Sequence, residues 1–192
     1  MALETQTAKI NVVISLKDIV DTNLIMNRLK DYCENNTNLF AFILHNKDIL
    51  ENGEIKTPHI HLVALLKNNR QRLGTTLNHL SNALMLSPLA ISIEKMSDLV
   101  GSIHYLIHKD NKEKYQYDKS LIVTNISEGE LTTYLASDSK SMSIEYLIDI
   151  VSRNRSKIDI MREIGLTYYH LYRNTINDIY KEVWESQVIR AI

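Results

Sequence analysis

Thr57 to Leu66 reads TPHIHLVALL, with two histidines one residue apart at the mouth of an apolar run. Side chains on a strand alternate faces, so His59 and His61 point the same way. Imidazoles on a buried face need partners, because an unsatisfied polar group is costly in the interior. The pair is therefore either two hydrogen-bonded core histidines or half of a metal site. Neighbouring residues exclude two known arrangements. A His-x-His-x-Asp-His site cannot form where Leu62, Val63 and Ala64 follow, and LVALLKNN lacks the glutamate of a cupin-like site. Upstream, FILHNKD ends in His45, with Asp48 three residues later. If the strands holding His45 and His59 pair, then His45, Asp48, His59 and His61 converge. Such a mixed nitrogen and oxygen set suits a borderline divalent ion: Mn²⁺ first, with Mg²⁺, Co²⁺ or Zn²⁺ as alternatives. The other reading leaves Asp48 an ordinary turn residue and His45 an exposed strand end.

VGSIHYLIHKDNKEKYQYDK supplies a second group. Residues three and four apart share a helix face, which would project Tyr105, His108 and Lys109 together. A phenol, with a pKa near ~10, becomes a nucleophile when positive charge stabilises phenolate. A lysine supplies that field, and a metal can polarise a phosphate for in-line attack. Taken alone, one tyrosine among ten reads more simply as a packed side chain.

These residues need elements to hold them. INVVISL (10–16) is β-branched and reads as a strand, followed by helical spacing from Lys17 to Glu34 with Asp21 or Thr22 as N-cap. LFAFILH (39–45) and HIHLVALL (59–66) read as two strands of an antiparallel pair, joined by a long loop with a turn at Asn52-Gly53. A helix over 70–86, a strand over 88–95, a helix from Ser97 or Asp98 to about Lys109 and a short strand over 120–125 complete the pattern. The order β-α-β-β-α-β predicts an α+β domain, an antiparallel sheet with helices on one face. Residues 1–126 form this domain. A polar Ser/Thr-rich linker follows over 127–142, then a small all-α unit over 143–192. In that unit Tyr146, Leu147, Ile150, Ile160, Ile164, Leu171 and Ile179 supply packing faces.

The bulk numbers describe an ordinary soluble chain: 192 residues, 44% hydrophobic, 23% charged. A single cysteine, Cys33, fits a reducing compartment. MALETQTAKI carries no signal-peptide pattern and no run approaches a membrane span, so a cytoplasmic location without a membrane partner is expected. A net charge of −1 does not by itself suggest nucleic acid. Two local clusters, Lys67 with Arg70 and Arg72, and Arg153 with Arg155 and Lys157, read first as solvated faces.

Taken together, HNKD…TPHIHLVALL…IHYLIHKDNKEKYQYD resembles the HUH single-strand endonucleases, and among them the replication initiators of small rolling-circle plasmids of Gram-positive bacteria. The likeness covers about residues 8–125. It implies an antiparallel β-sheet palm of ferredoxin-like topology, with His59 and His61 as the metal-binding pair completed by His45 and Asp48. It also implies that Tyr105 attacks a phosphodiester in a single-stranded hairpin loop of the origin, beside duplex DNA, with Lys109 assisting. The products would be a 5′-phosphotyrosine link and a free 3′-OH primer. Lys67, Arg70, Arg72, His108, Lys112 and Lys114 are the expected DNA contacts. Tyr115 and Tyr117 are read as structural or DNA-contacting. A homo-oligomer, a host helicase and a host polymerase are the expected partners. In the C-terminal unit, oligomerisation competes with a helix-turn-helix that has Gly165 in the turn and its reading helix after Thr167. A relaxase or transposase, or a non-catalytic origin-binding protein, are the alternative functions.

Overall fold

Two long apolar strands, Thr37–His45 and His59–Leu66, lie side by side. The computed structural model describes residues 4–68, 70–136, 144–154, 156–164 and 175–185. The chain divides into two compact units, Met1–Ser139 and Lys140–Ile192. In the first, strands β1 (Gln6–Thr7) and β2 (Lys9–Ser15) precede helix α1 (Thr22–Asn36). Then come β3 (Thr37–His45), β4 (His59–Leu66), β5 (Gln71–Arg72), α2 (Leu73–Leu84) and β6 (Ile91–Lys95). Helix α3 (Leu99–Leu106), β7 (Val123–Thr124) and α4 (Glu128–Ala136) complete the unit. The main sheet has the strand order β6-β2-β4-β3-β7 with every pairing antiparallel, and β1 pairs with β5 in a separate two-stranded ladder. The class is α+β, as expected.

Register explains which side chains reach the site. Ile10, Val12 and Ile14 on β2 join Phe40 and Phe42 on β3 and Ile60, Leu62 and Ala64 on β4, packing with Ile25 and Leu29 of α1 and Leu80 and Leu84 of α2. The opposite face carries His45, His59 and His61, since His45 pairs with His59 and Ile43 with His61. Helix α3 packs on β3 and β4, and its Leu106 carbonyl and Tyr105 ring meet His45 and His61 there. The expectation that helices cover one face only is thus corrected. Continuous apolar runs such as Leu39–Leu44 require cover on both faces, and Ala41, Phe42 and Ile43 are all fully buried.

Other differences are local. Helix α1 begins at Thr22, with the Asp21 carboxylate accepting from the Leu24 amide at 2.9 Å. Residues 71–72 pair with β1, so α2 starts at Leu73. Pro88–Ala90 and Lys119–Leu121 are 3-10 turns, which shorten the strands that follow them. Helix α3 stops at Leu106 instead of running to Lys109, because His108 has φ 57°. The stretch expected as a linker, 127–142, contains α4. That helix belongs to the first unit and is bonded to α3 through the Tyr134 carbonyl.

The second unit holds α5 (Ile144–Arg153), α6 (Lys157–Ile164), a helix over 175–180 and a π-turn at Lys181–Glu185. Leu147, Ile150, Ile160 and Ile179 are buried, and Trp184 donates its indole N–H to the Val151 carbonyl at 2.9 Å. Gly165, Thr167 and Leu171 lie outside the described residues, as do Arg155 and the side chains of Tyr146 and Ile164. Among the described residues no helix is long and apolar enough to cross a membrane.

Candidate active site

His45 closes β3, and the chain then turns so that Asp48 folds back beneath it. The His45 Nε2–H donates to the Leu106 carbonyl at 2.7 Å. That bond fixes the tautomer and leaves Nδ1 with a lone pair, buried and without a hydrogen-bond partner. The same logic repeats. His59 donates from Nδ1 to the Thr57 carbonyl at 2.9 Å, leaving Nε2 unpartnered. His108 donates from Nδ1 to the Tyr115 carbonyl at 2.8 Å, again leaving Nε2. The His61 Nε2 is likewise buried and unpartnered.

Against these nitrogens stands a carboxylate. Asp48 Oδ2 is 3.4 Å from His45 Nδ1 and 3.6 Å from His59 Nε2. With both tautomers fixed, lone pairs face a carboxylate with no proton between them, an arrangement that repels unless a cation joins it. Burial also favours the neutral form of His45, His59 and His61. It pushes His45 down to about 4, against the opposing pull of the Leu106 bond and Asp48. It pushes His61 down to about 2 with the help of neighbouring imidazoles, and it lowers His59. Neutral imidazole is the ligand form. Ligand atoms of His45, His59 and His61 all lie within 4.8 Å of one another, as do those of His45, Asp48 and His108. Buried orphan nitrogens, neutral rings and one carboxylate fit a divalent cation.

Tyr105, at the end of α3, presents its ring edge to His61 and His108, with centroids 5.0 and 5.3 Å away. Tyr105 is 43% exposed. The Lys114 ammonium donates to that hydroxyl at 3.1 Å and lies 4.8 Å from the ring centroid. Lys109, expected to be the assisting cation, instead places its Nζ 3.4 Å from His104 Nε2. The premise that Tyr105, His108 and Lys109 share one helix face does not hold, since α3 ends before His108.

The structure thus brings His45, Asp48, His59, His61, Tyr105, His108 and Lys114 to one place. Lys112 is exposed on the turn that follows. Lys67, Arg70 and Arg72 belong to the other end of β4, about 25 Å of strand from His59. There Lys67 donates to the Glu34 and Asn35 carbonyls at the end of α1, Arg72 pairs with Glu4 at 3.1 Å, and Arg70 is exposed. Two further residues complete the centre. His108, expected as a DNA contact, has a positive φ and stands among the other imidazoles, and Tyr117 takes the structural role expected of it. Tyr117 stacks on His45, with centroids 4.3 Å apart and planes 4° from parallel, and its hydroxyl donates to Asp48 Oδ1 at 3.0 Å. Burial raises that phenol to about 12, so it stays a donor.

A family model described as plasmid replication protein, origin binding domain, matches residues 16–128. The chain is also similar to the replication protein RepB of Lactiplantibacillus plantarum, 32% identical over 112 residues, which are 58% of this chain and 49% of that protein. The chain spans about half the length of this curated relative.

Proposed function

The chain belongs to the plasmid replication proteins with an origin-binding domain, and we propose that it initiates rolling-circle replication as an HUH endonuclease that nicks one strand of its origin. The observation that carries this reading is the set of orphan nitrogens on His45, His59, His61 and His108 beside an exposed tyrosine. The strand order, with β2 and β4 central and β6 and β3 outside them, supports the ferredoxin-like palm. His45, Asp48, His59 and His61 would hold the cation, Mn²⁺ first with Mg²⁺ or Co²⁺ as alternatives, and His108 adds a further donor. When bound, such an ion supplies Lewis acidity to a phosphate oxygen.

The chain's own groups do the rest. Lys114 attracts the phosphate to Tyr105 and stabilises negative charge on its oxygen. The Tyr105 oxygen attacks phosphorus, a P–O(Tyr) bond forms and the P–O3′ bond breaks. The phenolic proton leaves to solvent and the 3′-oxygen takes one up. One phosphoester replaces another, so the step is reversible and needs no nucleotide triphosphate. A host polymerase would extend the 3′-OH while a host helicase unwinds ahead. Assembly into a homo-oligomer through residues 143–192 is supported by the exposed apolar side chains Ile148 on α5 and Ile158 on α6.

The test uses single-stranded hairpins tiling the cognate origin, labelled on the 3′ fragment. A protein–DNA adduct stable in denaturant, formed with Mn²⁺ and lost in EDTA or in Tyr105→Phe, is the expected result. Specific DNA binding with no adduct under any of these conditions would make the protein a non-catalytic origin binder.

A further inference from the structure

We infer that the trough beside Tyr105 and His61 is a base-reading subsite, in which Glu94 selects a nucleobase with an exocyclic amino group next to the scissile phosphate. The inference rests on the nicking reading and adds a determinant of its sequence preference.

Helix α3 covers the histidine-bearing face over β3 and β4 but leaves the β2–β6 half bare. There Ser92 and Glu94 are exposed and Asn11 and Val13 are half-buried, while their β4 neighbour Val63 is buried. The result is a trough of about 480 Å³ whose lining includes Asn11, Val13, His61, Glu94, Ser102 and Tyr105, a size suited to a nucleoside. Valine side chains offer an apolar floor for a base to lie on. The polar groups are arranged as acceptors. Asn11 donates its amide to Glu94 Oε1 at 3.4 Å. This fixes the amide orientation, since the flipped form would set oxygen against carboxylate. Asn11 Oδ1 is then buried without a donor. Asp98, at the same rim, already accepts from the Val100 and Gly101 amides at the start of α3.

Charge orients a single strand across this surface. The Glu94 and Asp98 carboxylates repel phosphate from the trough, while Lys114 at the Tyr105 hydroxyl attracts it. The backbone is therefore directed to Tyr105 and the adjoining base into the trough. An acceptor wall rewards an amino donor, as when a carboxylate accepts from cytosine N4. Adenine N6, cytosine N4 and guanine N2 meet that need. Thymine has no amino group; its one donor, the ring N3–H, lies between two carbonyl oxygens that the carboxylate repels, so thymine is disfavoured.

The test exposes the full-length protein, with Mn²⁺, to a pool of single-stranded hairpins with randomised loops. Covalent adducts are captured and sequenced. At one position flanking the nick, thymine should be depleted about tenfold or more in adducts of the wild type. Glu94→Gln offers an amide donor to thymine O4 and should restore thymine at that position alone, with an unchanged thermal midpoint since Glu94 is exposed. Adducts with no thymine depletion, or with the same depletion in Glu94→Gln, would overturn the subsite while leaving nicking intact. A wild type that forms no adduct with any member of the pool would overturn both.

Discussion

Tyr117 shows how far the centre depends on groups that carry no ligand atom. Its ring backs His45 and its hydroxyl, which accepts from the Lys47 amide at 2.9 Å, donates to Asp48 Oδ1. Oδ2 is thereby aimed at His45 and His59. Tyr117→Phe keeps the stacking surface and removes the donor. Mn²⁺ affinity should fall about 10–100-fold, the usual effect of removing an outer-shell partner. Calorimetric titration measures it, and unchanged affinity would remove Asp48 from the ligand set. At this scale the convergence of His45, Asp48, His59 and His61 was legible, because strand alternation aligns His59 with His61 and pairing brings His45 opposite. His108 was not, because a single positive φ in a non-glycine residue decides its direction. Lys114, expected to contact DNA, was not foreseen on the Tyr105 hydroxyl, since that pairing depends on the path of the turn after α3.

Among the elements, α3 has the most exacting position, since its last turn carries Tyr105 and the Leu106 carbonyl that orients His45. Its start is held by Asp98, whose two oxygens accept from Val100 and Gly101. Asp98→Ala should cost about 1 kcal/mol in stability, the usual effect of losing an N-cap. Urea denaturation checks it, and a cost near zero would mean packing alone places the helix. Helix α4 was missed although its signal was present. Ser127 accepts from the Glu130 amide at 3.3 Å and donates to the Glu130 carboxylate at 2.8 Å. The first of these bonds is the N-cap half of a capping box, whose spacing is read from Ser-Glu-Gly-Glu. The Ser/Thr content of the surrounding stretch obscured it. The β-α-β-β-α-β order was legible from periodicity. Cover on both sheet faces was implied by the same apolar runs, yet which helix supplies it depends on contacts distant in sequence.

For the molecule as a whole, a cation bound by the cluster would link metal, protons and stability. His45 and His61 are neutral when folded, with values held near 4 and 2, whereas an unfolded histidine takes up a proton near ~6.5. Without metal, their contribution is complete above about pH 6.5 and is lost progressively as pH falls, toward 4 for His45 and toward 2 for His61. Mn²⁺ at about 100 times its Kd should add about 2.7 kcal/mol at pH 7. That corresponds to a rise of about 5–10 °C in the thermal midpoint of the transition that includes the first unit. EDTA should reverse it, and a midpoint indifferent to Mn²⁺ would argue that the four nitrogens are not ligands.

Nicking as proposed joins Tyr105 covalently to DNA. Mass spectrometry of the proteolysed adduct tests it directly. The expected product is the peptide containing Tyr105 with the 5′-phosphate of the 3′ fragment on its phenolic oxygen. Attachment at Tyr115 or Tyr117, or a nick with no modified peptide, would contradict it.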